Sequence, residues 1–266
     1  MHYAIELGYK YLRYLFTSAN GKGHGIHPPF VFELVTKVLN DNRSFYAFSA
    51  IENLRKELQN NSSVITIQDF GAGSRVYKSN ERKIKDIAHS SLKAKKYGQL
   101  LFKLVDFYKP KTIVELGTCL GTTTAYLASA NHAAKVYTFE GAQSIAAIAE
   151  KNFQQLNIQN IHQVLGNFDE TVPKWLEATK PVIDFAFLDG NHSFEPTVRY
   201  FNALIPFLQN NSLVVVDDIH WSEGMEKAWY TIQQHPSVTL TIDLFSVGLV
   251  FFRKEQLAKQ HFIIRY

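Results

Sequence analysis

A chain of 266 residues with 46% hydrophobic and 20% charged side chains has the balance of a globular protein able to bury a large core. No run approaches the roughly 20 apolar residues of a membrane span, and the N-terminal stretch lacks the order of a signal peptide, so a cytoplasmic protein without a membrane partner is expected. A lone cysteine, Cys119, excludes an internal disulfide and a cysteine-based metal site, and the net charge of +4 is uneven, with 18 of the 28 Lys and Arg but 9 of the 24 Asp and Glu in residues 1–111.

In chain order, residues 1–84 show helical patterns near 3–16, 30–39 and 49–59, with the loop GKGHGIHPP between the first two. His24 and His27 in that loop read as turn histidines or as part of a lid. The run His27-Pro28-Pro29-Phe30 imitates a motif of amino-group methyltransferases, but it lacks the amide or carboxylate that would accept an amine proton. A strand-like run at 64–70 enters Asp69–Gly73, which imitates a cofactor turn without the amphipathic helix and acidic strand end that should follow. Arg75, Lys78, Arg82, Lys83, Lys85, Lys93, Lys95 and Lys96 form either a solvated face or an attractor for an anionic substrate. A helix over about 86–108 then leads into the core.

From Thr112 onward, short β-branched or aromatic runs alternate with amphipathic segments, the pattern of a largely parallel sheet flanked by helices. Strands are expected at 112–116, 135–140, 161–165, 182–188 and 212–216, and helices near 194–208 and 222–234. The final runs, 238–244 and 246–252, are too close for a crossover and should form an antiparallel hairpin at the sheet edge. The sum is a Rossmann-like, doubly wound, seven-stranded α/β sheet over residues 85–266, preceded by a mainly helical extension, residues 1–84.

The chemistry concentrates where the first core strand ends, at Glu115-Leu116-Gly117-Thr118-Cys119-Leu120-Gly121. Gly117 and Gly121 permit positive φ and close approach of the backbone to a ligand. The spacing is not the G-x-G-x-x-G of a dinucleotide turn, and an acid, Glu115, stands beside it. Glu140 ends the next strand about 20 residues later, where a carboxylate can accept both ribose hydroxyls. Glu115 beside an open turn favours S-adenosylmethionine, whose sulfonium and amino-acid tail need no anion cradle. Cys119 in this turn reads as a small filler, not a nucleophile.

Residues 98–252 resemble the class I methyltransferases, in particular small-molecule O-methyltransferases of the catechol and caffeoyl-coenzyme-A type. The resemblance rests on Tyr97-Gly98-Gln99-Leu100-Leu101, the turn above, Glu140, Gly166-Asn167-Phe168 and Asp184–Asp189. It implies that Glu115, Gly117, Thr118, Gly121 and Thr123 line the methionine end of the cofactor. Glu140 would then hold the ribose, Asn167 and Phe168 the adenine, and Asp189 would close the set.

Two further acidic segments follow the fourth and fifth strands, Asp189-Gly190-Asn191-His192 and Asp217-Asp218-Ile219-His220. Asp189, Asp217 and Asp218 could hold Mg²⁺ or a similar divalent cation through oxygen, or could serve as helix caps and local ion-pair partners. The Asp217-Asp218 pair resembles that of the macrocin-type, metal-dependent enzymes. In that group the residue two or three after the first Asp can act as base; Asn191 cannot, and His192 can. His220 and Trp221 are expected beside the acceptor. The expectation is therefore an O-methyltransferase of a small-molecule hydroxyl, with Asp189, His192 and His220 catalytic and a possible homodimer. The alternatives are a metal-independent methyltransferase of an anionic or RNA substrate and a nucleotide-binding interaction module. The acceptor itself is not readable from the sequence.

Overall fold

The computed structural model describes residues 2–19, 21, 28–67 and 80–266. His24, His27, Asp69–Gly73, Arg75 and Lys78 lie outside the described residues. In chain order the first elements are α1 (His2–Thr17), α2 (Pro29–Leu34), α3 (Tyr46–Asn60), β1 (Val64–Thr66), β2 (Glu81–Lys83), α4 (Ile84–Ser91) and α5 (Lys95–Tyr108). The core follows with β3 (Thr112–Leu116), α6 (Thr122–Ala130), β4 (Lys135–Glu140), α7 (Gln143–Gln155), β5 (Ile161–Leu165), α8 (Phe168–Thr179) and β6 (Ile183–Leu188). The last elements are α9 (Phe194–Leu204), β7 (Leu208–Asp217), α10 (Glu223–Gln234), β8 (Leu240–Asp243), β9 (Val247–Phe251) and β10 (Gln260–Ile263).

The fold is the expected Rossmann-like α/β class with a mostly parallel sheet. It separates into two compact units, residues 43–181 and residues 1–42 with 182–266, a division that does not fall at residue 84. The reason is visible in α3. Its buried stripe Phe48, Ile51, Leu54 and Leu58 follows helical spacing. Its Glu52 accepts a hydrogen bond from the Tyr126 hydroxyl of α6 at 2.7 Å and pairs with the buried Arg55 at 3.1 Å. Residues 46–60 therefore belong with the core helix they pack on.

In the 43–181 unit, β3, β4 and β5 run parallel in that order. Every residue of α6 is buried, which explains why its sequence shows no polar face. The helix expected over 86–108 is two helices. Ser90 bonds back to the Asp86 carbonyl at 2.8 Å, and Leu92 turns extended with ψ 125° before α5 starts. The run at 64–70 contributes three residues, Val64–Thr66, paired antiparallel with Glu81–Lys83.

In the other unit the order is β10-β8-β9-β7-β6. The hairpin forms as expected from β8 and β9, with β9 antiparallel to β7. It is not the edge, because β10 pairs parallel to β8 and makes eight main strands where seven were expected. The Asp218 amide donates to the Ser246 carbonyl at 2.7 Å, so the carboxyl end of β7 lies beside the turn that joins β8 to β9. Against that edge α1 is fastened by the Tyr14 hydroxyl to the Ile264 carbonyl at 2.5 Å and by Lys10 to Glu226 at 3.0 Å. Among the described residues, no helix is long and apolar enough to cross a membrane.

Candidate functional site

The Gly-rich turn belongs to the 43–181 unit. Gly117 (φ 107°), Cys119 (φ 48°) and Gly121 (φ 80°) all take left-handed conformations, so the chain reverses sharply between β3 and α6. The amides of Gly117 and Thr118 donate to the Phe139 carbonyl at 3.0 and 3.1 Å. A Cβ at Gly121 would stand 2.5 Å from the Phe153 ring, so glycine is required there on two grounds.

Glu115, expected at the methionine end of a ligand, is fully buried. Its Oε2 accepts from Thr124 at 2.5 Å and from Thr138 at 2.7 Å, and Thr138 shares a 2.6 Å bond with Thr118. Burial raises the carboxyl to about 7 against the lowering influence of the two threonines, and nearby Glu140 adds to the rise. Its Oε1 is buried with no hydrogen-bond partner among the described residues. As placed, Glu115 orders the turn from behind, and Thr118 and Thr123 are likewise buried.

Glu140, half-buried at the end of β4, faces the turn. Its Oε2 accepts from the Cys119 amide and its Oε1 from the Ala142 amide, both at 2.9 Å. The carboxylate is therefore held in one orientation by two backbone donors. Gly166, with φ 129°, ends the third strand, and its amide donates to the Glu140 carbonyl at 2.9 Å. Asn167 next to it caps α8 by accepting from the Asp169 amide at 3.0 Å, and Phe168 opens the helix, both half-buried.

Asp189, His192, Asp217, Asp218 and His220 lie in the other unit. His192 Nε2 stands 3.5 Å from Asp189 Oδ1, with the imidazole about one-third exposed at 35%. Asp217 is buried at the end of β7, and Asp218 takes a left-handed conformation with φ 50°. Among the described residues no three His, Cys, Asp or Glu side chains stand together as a metal-ligand set, Asp189, Asp217 and Asp218 included.

His220 also departs from its expected role. Its Nδ1 lies 3.1 Å from Glu226 Oε1 and its Nε2 2.7 Å from Asp243 Oδ2, so both ring nitrogens face carboxylates. Burial pulls its pKa down, but Asp243 and Glu226 outweigh burial and leave it raised. The ring is thus held between two carboxylates. Trp221, beside it, is 40% exposed.

Residues 114–219 match a family model described as a methyltransferase domain. A catechol O-methyltransferase of Niastella koreensis is 27% identical over 124 residues, 46% of this chain and 55% of that protein. The chain spans about half the length of that curated relative. Three solved structures share the fold. The SAH-bound Podospora anserina methyltransferase PaMTH1 superposes with a TM-score of 0.59 at 13% identity, over 86% of this chain and 99% of that one. The O-methyltransferase from Bacillus cereus in complex with SAH gives 0.56 at 17%, over 84% and 97%. TomG of Streptomyces achromogenes, an O-methyltransferase in complex with SAM, gives 0.57 at 16%, over 79% and 91%.

Several side chains around these residues were not singled out from sequence. Thr138 lies directly across from Glu115 in the β3–β4 register, and Thr124 lies on the following helix. Asp243 and Glu226, the partners of His220, sit in β8 and α10. The strand registers would have exposed Thr138. Nothing in the local spacing marks the other three.

Proposed function

We propose that this chain is an S-adenosylmethionine-dependent O-methyltransferase of a small-molecule hydroxyl. The observation that carries the reading is the Glu140 carboxylate, fixed by the Cys119 and Ala142 amides beside a left-handed Gly-rich turn. A carboxylate at the end of the second core strand, just after such a turn, suits the two adjacent hydroxyls of a ribose. The family match and the cofactors named with the structural neighbours support the same reading.

Bound S-adenosylmethionine would supply an electrophilic methyl group on a sulfonium. The chain's own contribution is to hold the ribose through Glu140 and to take a proton through His192. His192, whose Nε2 stands 3.5 Å from Asp189 Oδ1, would accept the proton of the acceptor hydroxyl through its other ring nitrogen. The carboxylates of Asp189, Asp217 and Asp218 offer a hard cation oxygen donors but do not form a set of three, so no step is assigned to a metal.

Calorimetry tests the cofactor half of the reading. S-adenosylmethionine and S-adenosylhomocysteine are expected to bind and NAD to be inert, with Glu140→Ala weakening binding by about 1–3 kcal/mol. Preferential NAD binding would overturn the reading. Methyl transfer from labelled S-adenosylmethionine onto phenolic, sugar and RNA acceptors, with and without a chelator, tests the rest. Transfer to RNA alone would replace the small-molecule reading, and chelator-sensitive transfer would restore the cation.

A further inference from the structure

Both backbone amides that hold Glu140 belong to residues packed in a single apolar cluster. Cys119 and Ala142 lie there with Leu54 and Leu58 of α3, with Ile67 just after β1, and with Ile84 and Ile87 of α4. Leu120 is buried in the same cluster, and its carbonyl accepts from Asn152 at 2.8 Å. A second tie joins the same elements, from the Ser144 hydroxyl at the start of α7 to the Thr66 carbonyl of β1 at 2.7 Å. Cys119 can aim its amide at Glu140 because it adopts φ 48°, a conformation unfavourable for any residue with a Cβ. Such a conformation persists where surrounding packing over-determines it. The packing here comes mostly from α3, β1 and α4, all outside the matched residues 114–219.

We propose that α3, β1 and α4 act as a positioning element for Glu140. Their apolar side chains lock Cys119 and Ala142, and through those two amides they set the affinity for the ribose of the cofactor. The proposal rests on the reading of Glu140 as the ribose acceptor. The competing account is that the cluster only stabilises the fold. Loss of packing would then weaken ligand binding equally whether or not Glu140 is present. Positioning through Glu140 instead requires the effect to vanish once the carboxylate is removed.

The test is a double-mutant cycle on the full chain, with S-adenosylhomocysteine affinity measured by calorimetry in the wild type, Glu140→Ala, Ile87→Ala and the double variant. The milder Ile87→Val serves if the alanine variant does not fold. Ile87→Ala is expected to weaken binding about threefold or more in the wild-type background and to have almost no effect beside Glu140→Ala. Equal losses in both backgrounds would overturn the proposal. Amide hydrogen exchange provides a readout independent of any ligand: Cys119 and Ala142 should lose protection in Ile87→Ala, and unchanged protection at both also overturns it. If the wild type binds no S-adenosylhomocysteine while those amides do lose protection, the cofactor reading fails and the positioning of Glu140 stands.

Discussion

Glu115 and Thr138 stand directly opposite each other in the parallel register of β3 and β4, and the Thr138 hydroxyl donates to the Glu115 carboxylate at 2.7 Å. Burial raises that carboxyl from 4.5 to about 7. A carboxyl whose folded pKa lies above its unfolded value binds more protons folded than unfolded, so its ionisation opposes folding as pH rises between the two values. Glu115→Gln, neutral throughout, is therefore expected to lose less stability than the wild type between about pH 4.5 and 7, the difference reaching roughly 1–3 kcal/mol. Denaturant unfolding of both proteins across that range checks it; parallel curves would mean that Glu115 is ionised throughout.

Gly121→Ala is expected to cost about 1–3 kcal/mol, because the added Cβ meets both an unfavourable φ and the Phe153 ring. Phe153→Leu in the same chain relieves the contact but not the backbone, so it should recover part of the loss. Thermal unfolding of the two single variants and the double variant measures the coupling. Full recovery would assign the whole cost to the ring.

His220, between Asp243 and Glu226, has a raised pKa, so its contribution to stability is full below the ordinary value of 6.5 and fades as pH rises through the folded value. His220→Gln should accordingly lose about 1–3 kcal/mol near pH 6 and progressively less toward pH 9. Unfolding at several pH values decides it. A loss independent of pH would show a neutral ring.

How far the sequence reached follows from the range of each interaction. The position of Glu140 was legible, since the end of the second strand, about 20 residues after a glycine turn, follows from strand spacing. Asn167 was read as an adenine contact, and its cap bond from the Asp169 amide is an addition of the structure. The division of the chain into its two units was not legible, since it depends on contacts such as Tyr126 with Glu52, 74 residues apart. β10 escaped because four residues of alternating burial after the largely polar run Arg253–Lys259 carry little pattern. The acidic residues after β6 and β7 were found by position, but whether carboxylates converge depends on side-chain direction at a strand end, which spacing does not encode.

His192 and Glu140 should separate cleanly in kinetics, because one is assigned to the proton and the other to the cofactor. A general base contributes typically about 10²–10⁴-fold to rate, so His192→Gln is expected to lower kcat within that range. Affinity for S-adenosylhomocysteine should be unchanged, since the variant leaves the Glu140 carboxylate and its two amide donors in place. Asp189→Asn should give a smaller loss of kcat, because it weakens the partner that orients His192 without removing the ring. With an acceptor found by the labelled-methyl screen, kcat and KM of the wild type, His192→Gln and Asp189→Asn check the assignment. A kcat that survives His192→Gln would move the base to another residue and leave His192 only a place beside Asp189.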